Sequence, residues 1–300
     1  MIILSKLVYN LRNSLNKPSN TRNNNSYAPE QLLGKTIPKI IHQTYSSKSL
    51  PIPIQENVDR IRSQNPNWEY RLYDDDDIEQ YIAINYPKLL AIYKKINPKY
   101  GAAKADFFRY LVMYREGGVY LDIKSGLDYP LDKIVSASDS YVLSHWPRSY
   151  PKNMLGQHPG ITNPTGELQQ WHIISVAGHP FLKAVIDNVC SNILHYNPLF
   201  HDFGSWGVFN LTGPIAYTEA IYPLLPIYSH RLACDHLALG LVYYAIGPRD
   251  MTSGHHKIFQ NKHYSMLEES IVKQPFHINL LFSLTKPLIK RLKIKLKSAS

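Results

Sequence analysis

Residues 104–124, KADFFRYLVMYREGGVYLDIK, constrain this chain more than any other stretch. The first part has helical periodicity, and Gly117 and Gly118 end it. An apolar run, VYLDI, follows at once and closes on an acid, as a buried strand would. Asp106 and Arg109 lie three apart on the helix and share a face. The strand delivers Asp122 to its C-terminal end, and in open α/β sheets the crevice beyond strand C-termini is where ligands bind. Three charged groups are thus expected to converge on one crevice. The two glycines are expected to let a bound ligand approach the backbone closely.

The flanking chain supplies more of an α/β pattern. PKIIHQT (38–44) reads as a buried strand, the residues after Pro53 as a helix, and WEYRLYD (68–74) as a second strand, which makes a βαβ opening. The four acids Asp74, Asp75, Asp76 and Asp77 fall at a helix start, where capping and the helix dipole favour negative charge over the alternative of metal binding. Helices are expected over 86–96, 100–115, 179–194 and 213–225, and strands over 141–145 and 172–177. A long Pro/Gly-rich loop over 146–168 is of the length usually associated with function or mobility.

Charge is uneven. The net charge is +10, but residues 1–39 hold +5 and residues 286–300 hold +6, which leaves the middle near −1. A nucleic-acid reader should line a folded face with positive charge, so no nucleic-acid partner is expected and anionic lipid fits the two cationic ends better. Residues 16–29, NKPSNTRNNNSYAP, read as a flexible linker. Cys190 and Cys234 are too few for a disulfide framework, which fits a cytoplasmic setting, although a single pair stays open. The start, MIILSKLVYNLRNSL, holds no run near the roughly 20 apolar residues of a membrane span.

The residue types around Asp122 suit one chemistry. A sugar nucleotide presents hydroxyls that carboxylates accept from and a diphosphate that needs cations or a metal. The leaving diphosphate gains charge in the transition state, and stabilising it with Arg, Lys or a divalent ion supplies most of the acceleration. The plainer alternative is an intrahelical Asp/Arg pair and a strand-end Asp acting as a cap.

Four segments in order, IPKIIHQT (37–44), NPNWEYRLYDD (65–75), KADFFRYLVMYREGGVYLDI (104–123) and GHPFL with LTGP (178–182 and 211–214), resemble the family 32 glycosyltransferases with the DXD sugar-binding motif. More distantly the chain is similar to the clostridial glucosylating toxins. The resemblance covers roughly residues 35–225 and implies an α/β fold of the GT-A type, a Rossmann-like mixed sheet flanked by helices. It implies one catalytic domain over 35–275, between a basic N-terminal segment with its linker (1–34) and a basic amphipathic tail (276–300). The activity implied is retaining transfer of mannose, galactose, glucose or an N-acetylhexosamine from a GDP- or UDP-linked donor. The acceptor would be a glycan or a lipid-linked oligosaccharide, in polysaccharide or glycan biosynthesis.

Residue by residue, the resemblance makes Ile41, His42 and Gln43 candidate base or ribose contacts. It makes Asp106 the acid that contacts donor ribose and sugar, Arg109 and Tyr120 donor contacts, and Asp122 the first acid of DXD, holding the donor and its Mn or Mg. Where the second acid should stand the chain has Lys124, which cannot ligate a metal through an ammonium. Either Lys124 replaces the metal as a fixed charge near the diphosphate, or it turns outward and the ion is held by Asp122 with Asp128 or a C-terminal His. A catalytically silent sugar-nucleotide or glycan-binding protein is the remaining alternative. In GHHKIFQNKHYS (254–265), His255, His256 and His263 are candidates for a closing loop or for metal ligation. Trp146, Gln170, Trp171 and His172 are acceptor candidates.

The last segment, LLFSLTKPLIKRLKIKLK, places leucines at near-helical spacing between cations. As a basic amphipathic helix it would lie on an anionic membrane. LKIKLK also alternates with period two, so a strand is the competing expectation.

Overall fold

The computed structural model describes residues 26–147, 156, 161, 165–247 and 264–297, with side chains as far as Pro287. Strand β1 (Ile40–Thr44), helix α1 (Ile52–Gln64) and strand β2 (Glu69–Tyr73) form the expected βαβ opening, β1 and β2 running parallel with Ile40 opposite Glu69. Helix α2 (Asp75–Asn85) begins on a capping box: the Asp74 side chain accepts from the Asp77 amide, and the Asp77 side chain from the Asp74 amide. The acidic run therefore satisfies helix-end donors. Helices α3 (Pro87–Tyr93) and α4 (Gly101–Glu116) follow, and α4 feeds strand β3 (Gly118–Leu121).

The later chain adds β4 (Gly126–Leu127), α5 (Leu131–Ile134), β5 (Tyr141–Ser144), β6 (His172–Ser175), α6 (Pro180–His195), α7 (Gly204–Leu211), α8 (Pro214–Ile221), β7 (Arg231–Ala233), β8 (Leu241–Val242) and α9 (Phe276–Lys297). The main sheet runs β2-β1-β3-β6-β5-β7. Its β1, β2 and β3 are parallel, β6 is antiparallel to both β3 and β5, and β7 is parallel to β5. This is a mixed α/β sheet flanked by helices, as the resemblance implies. β4 and β8 form a separate antiparallel pair that brings residues near 242 up to the end of β3.

Strand alternation divides the core into two layers. Val119 and Leu121 face a layer with Ile41, Ile61, Trp68, Val142 and Ile174. Tyr120 faces the other layer, built by α2, α4, α6 and α8 around Phe107, Phe108, Tyr110, Phe181 and Tyr217. Asp122 continues on the Tyr120 side, toward α4, and this parity decides which residues reach the site.

Gly117 and Gly118 do a different job from the expected one. They have φ of 68° and 98° and sit at the N-terminal end of β3, away from Asp122. A Cβ at Gly117 would lie 2.6 Å from the Ala177 amide nitrogen, and one at Gly118 2.5 Å from the Ile40 carbonyl oxygen. The missing side chains make room for neighbouring strands, so the expectation that they admit a ligand is corrected.

Residues 26–34, on the N-terminal side of the expected domain start, are packed on the body. Ala28 is buried, and the amides of Tyr27 and Ala28 donate to Asp187 at 2.6 and 2.9 Å. Cys190 is buried and Cys234 exposed, and both are free thiols. The tail is helical over 276–297 with Pro287 inside it, so the strand expectation for LKIKLK does not hold. Among the described residues no helix is long and apolar enough to cross a membrane.

Two predictions follow from this packing. Gly118→Ala combines a left-handed backbone with contact against Ile40, and urea denaturation should find it destabilised by about 3 kcal/mol. Burial also holds His42, His179 and His236 down to about 4 and His172 to about 3. The unfolded chain then binds more protons than the folded one below the ordinary histidine value of 6.5, so stability is fully present above it and is lost as pH falls toward about 4. Denaturation midpoints measured across that window should drop steadily.

Candidate functional site

A cavity of about 1130 Å³ opens beyond the C-terminal ends of β1 and β3. Its walls include Thr44, Tyr45 and Ser46 just past β1, Asp106 and Arg109 from α4, and Tyr120, Asp122 and Lys124 at and beyond β3. The α4 face reaches it because Asp106 and Arg109 stand one turn apart above the Tyr120 side of the sheet. The three charged groups expected to converge do so: one Arg109 terminal nitrogen lies 3.1 Å from Asp106 and 3.0 Å from Asp122.

The other terminal nitrogen of Arg109 donates to the Gln170 carbonyl at 2.8 Å and to its side-chain oxygen at 2.7 Å. The guanidinium also lies 4.7 Å over the Tyr120 ring. Gln170 in turn donates to Asp106 at 3.2 Å, and Thr212 donates to the second Asp106 oxygen at 3.0 Å. Asp106 and Arg109 are each only 4% exposed. Such a network holds together because every charged partner is matched.

Burial pushes the Asp106 carboxyl up to about 6, against the pull of the neighbouring Arg109. Burial works against the Arg109 charge too, but Asp122 and Asp106 outweigh it and keep the guanidinium charged. Lys124 donates to the Tyr243 hydroxyl at 2.8 Å with its ammonium 4.2 Å over that ring. Desolvation disfavours its charge, yet Tyr243 and Asp122 together hold its pKa above the ordinary lysine value. Lys124 therefore stays on the cavity wall as a cation and does not turn outward.

Period-two alternation explains which donor candidates miss the cavity. Ile41 and Gln43 fall on the opposite face from Tyr120: Ile41 is core, and Gln43 donates to the Asp122 carbonyl and accepts from Tyr70. His42 has the right parity but sits too far down the strand, its ring nitrogens at 3.1 Å from the Tyr73 hydroxyl and 3.0 Å from the Gly117 carbonyl oxygen. None of the three lines the cavity; Thr44 does, 3.0 Å from the Tyr120 hydroxyl. Thr44 lies two residues past His42 on the same face of β1, and the parity of Tyr120 is the sequence signal that marks it.

Of the acceptor candidates, Trp146, Gln170 and Trp171 line the cavity. His172 does not: it is buried against Ser144 at 2.8 Å, because the alternation breaks at Trp171 and puts both rings on one face of the sheet. Trp146 and Trp171 pack edge-on to Tyr243, at 4.9 and 5.4 Å between ring centroids. Trp146 donates to Glu167 at 2.6 Å, and Glu167 also lines the cavity. The Trp171 indole nitrogen and the Arg109 Nε are buried with no hydrogen-bond partner. Tyr243 and Glu167 carry no motif and went unforeseen, since long-range pairing brings them in.

The described residues do not by themselves fit a divalent cation. Among the described residues no group of three or more His, Cys, Asp or Glu side chains could hold a metal. Both Asp106 oxygens and one Asp122 oxygen are engaged by Arg109, Gln170 and Thr212. Lys124 brings a positive charge where a second carboxylate was needed. Asp128 is exposed and off the cavity wall, its amide bonded to the Gly240 carbonyl. His255, His256 and His263 lie outside the described residues.

Residues 51–141 match the family model for the glycosyltransferase sugar-binding region containing the DXD motif. The chain is 28% identical over 227 residues to inositol phosphoceramide mannosyltransferase 3 of Schizosaccharomyces pombe, covering 71% of this chain and 55% of that protein. It is 31% identical over 123 residues to mannosyl phosphorylinositol ceramide synthase SUR1 of Saccharomyces cerevisiae, covering 41% and 31%. Its matches thus span 31% to 55% of these relatives' length. Among solved structures it is similar to the PaToxG glycosyltransferase, at 16% identity over 75% of this chain and 80% of that one, with a TM-score of 0.45.

The network makes a stability prediction independent of activity. Arg109→Met leaves two carboxylates facing each other with no cation between them, and should cost about 3–5 kcal/mol in urea denaturation. Adding Asp106→Asn should restore part of that loss; a double variant no more stable than the single one would argue against the pairing.

Proposed function

Because residues 51–141 match the glycosyltransferase sugar-binding region containing the DXD motif, we propose that the chain moves a hexose from a nucleotide-diphosphate sugar to a glycan or lipid-linked acceptor. The observation that carries this reading is the meeting of Asp106, Arg109 and Asp122 on one cavity wall at the strand ends. Mannose stands first among the sugars because the relatives are named as mannosyltransferases. Retention of anomeric configuration follows from the family resemblance. In the reaction the anomeric carbon's bond to the diphosphate oxygen breaks, a bond to an acceptor hydroxyl oxygen forms, and the hydroxyl proton leaves with the nucleoside diphosphate.

In this reading Asp122 accepts from donor hydroxyls through its free oxygen. Arg109 has both terminal nitrogens committed to protein acceptors, so it positions Asp106 and Asp122 more than it grips phosphate. Lys124, fixed on Tyr243 and kept charged, is the cation available to the leaving diphosphate. Trp146, Trp171 and Tyr243 form an aromatic wall suited to the apolar face of a sugar. The unpartnered Trp171 indole is a donor waiting for a ligand oxygen.

The test is a screen of GDP-mannose, UDP-galactose, UDP-glucose and UDP-N-acetylhexosamines for transfer and hydrolysis, with chelator and with Mn. Wild type should turn over a donor in chelator, and Asp122→Ala should lose at least about 100-fold. Lys124→Met should lose activity in chelator, and Lys124→Asp should recover part of it only when Mn is added. Full activity in Asp122→Ala, or a chelator effect unchanged by Lys124→Asp, would count against these roles. Donor binding without any turnover would favour the silent alternative.

A further inference from the structure

The tail helix α9 touches the body along one narrow seam. Phe282 is the one position buried below a tenth of its surface over 276–287, packed 5.4 Å from the Phe203 ring, and Lys286 one turn on pairs with Glu268 at 2.9 Å. On the other side of the same helix Phe276, Leu280 and Leu284 recur every four residues and stand 81%, 48% and 70% exposed, with Leu281 beside them at 46%. An apolar stripe of this kind, left in water on a helix whose opposite side is docked, has a partner to find.

Charge says which partner. Over 276–297 the sequence holds no acid, and past Pro287 it adds Lys290, Arg291, Lys293, Lys295 and Lys297. A protein partner for the stripe would have to bring matching acids as well as an apolar groove, whereas an anionic bilayer offers both at once over the whole helix, about 33 Å long. We propose that α9 lies on an anionic membrane with Phe276, Leu280 and Leu284 in the headgroup boundary.

The placement has a consequence for the cavity. The segment leading into α9 is fixed to the body: Asn97 and Lys273 donate backbone hydrogen bonds at 2.7 Å to the Ile271 and Lys95 carbonyls, and Ile271 and Val272 are buried. Tyr264, Leu267 and Glu269 of the same segment line the cavity. Docking α9 therefore holds the cavity close to the bilayer, which selects an acceptor carried on lipid. That last step rests on the transferase reading; the docking itself does not.

Pelleting with vesicles tests it. The full chain should sediment with phosphatidylcholine vesicles containing phosphatidylserine and stay in the supernatant with phosphatidylcholine alone, and added salt should release it. The triple variant Phe276→Ser, Leu280→Ser, Leu284→Ser changes only exposed positions, so it should fold as wild type does and lose at least about tenfold in vesicle partition. Donor hydrolysis without vesicles should be equal in both proteins, which separates this proposal from the activity: hydrolysis with no vesicle binding overturns the docking alone. The proposal is also overturned if the triple variant pellets as well as wild type. It falls as well if wild type ignores anionic vesicles and light scattering finds a dimer that the triple variant loses, for the stripe would then be a contact between copies of this chain.

Discussion

The buried Arg109 guanidinium is the interaction on which the site depends. It takes one terminal nitrogen to Asp106 and Asp122 and the other to Gln170, and so ties α4, the end of β3 and the start of β6 together at one point. In water such pairs contribute little; at 4% exposure each unpaired member would carry its full desolvation penalty. That asymmetry makes the arrangement nearly all-or-none. The Asp122 carboxylate is presented to the cavity with one oxygen held and the other available, a preorganisation that costs nothing at the moment of reaction.

Preorganisation reaches beyond the charges. Tyr120 supports the guanidinium with its ring and joins Thr44 with its hydroxyl, so the ends of β1 and β3 are locked to the same keystone. At the opposite end of β3, Gly118 lets the strand come against Ile40 and Gly117 lets it come against Ala177. The glycines set where β3 lies, and thereby where Asp122 ends up, without touching a ligand themselves.

This division explains what could be read from the chain. The βαβ opening, the acidic cap and the α4 to β3 passage are local, written in periodicity and helix-end chemistry, and the structure has them close to where they were expected. Asp106, Arg109 and Asp122 were legible for the same reason, since one helix and one strand only 16 residues of separation apart carry them all. Tyr243 and Thr212 were not, because they arrive through contacts more than 100 residues distant, and Glu167 was not, because it comes in across the 146–168 loop to meet Trp146. Ile41, His42 and Gln43 lie off the cavity wall for a subtler reason: the strand is where it was expected, but its phase and depth relative to β3 are set by pairing with neighbours, and a one-residue change of phase exchanges the faces.

Lys124 depends on both the local motif and the long-range pairing. A second carboxylate at its position would face Asp122 and Asp106 across a cavity already short of cations, and would need a metal to be tolerated. A lysine inverts that balance, and Tyr243, delivered by β8, gives the ammonium both a hydroxyl and a ring to rest on. The substitution at 124 and the aromatic at 243 are thus two halves of one device: neither holds a fixed positive charge beside Asp122 without the other. A chain with Lys124 but a small residue at 243 would leave the ammonium free to swing into solvent, and the cavity would lose its one lining cation without a carboxylate partner among the described residues, since Arg109 pairs with Asp106 and Asp122 and Lys99 with Glu269.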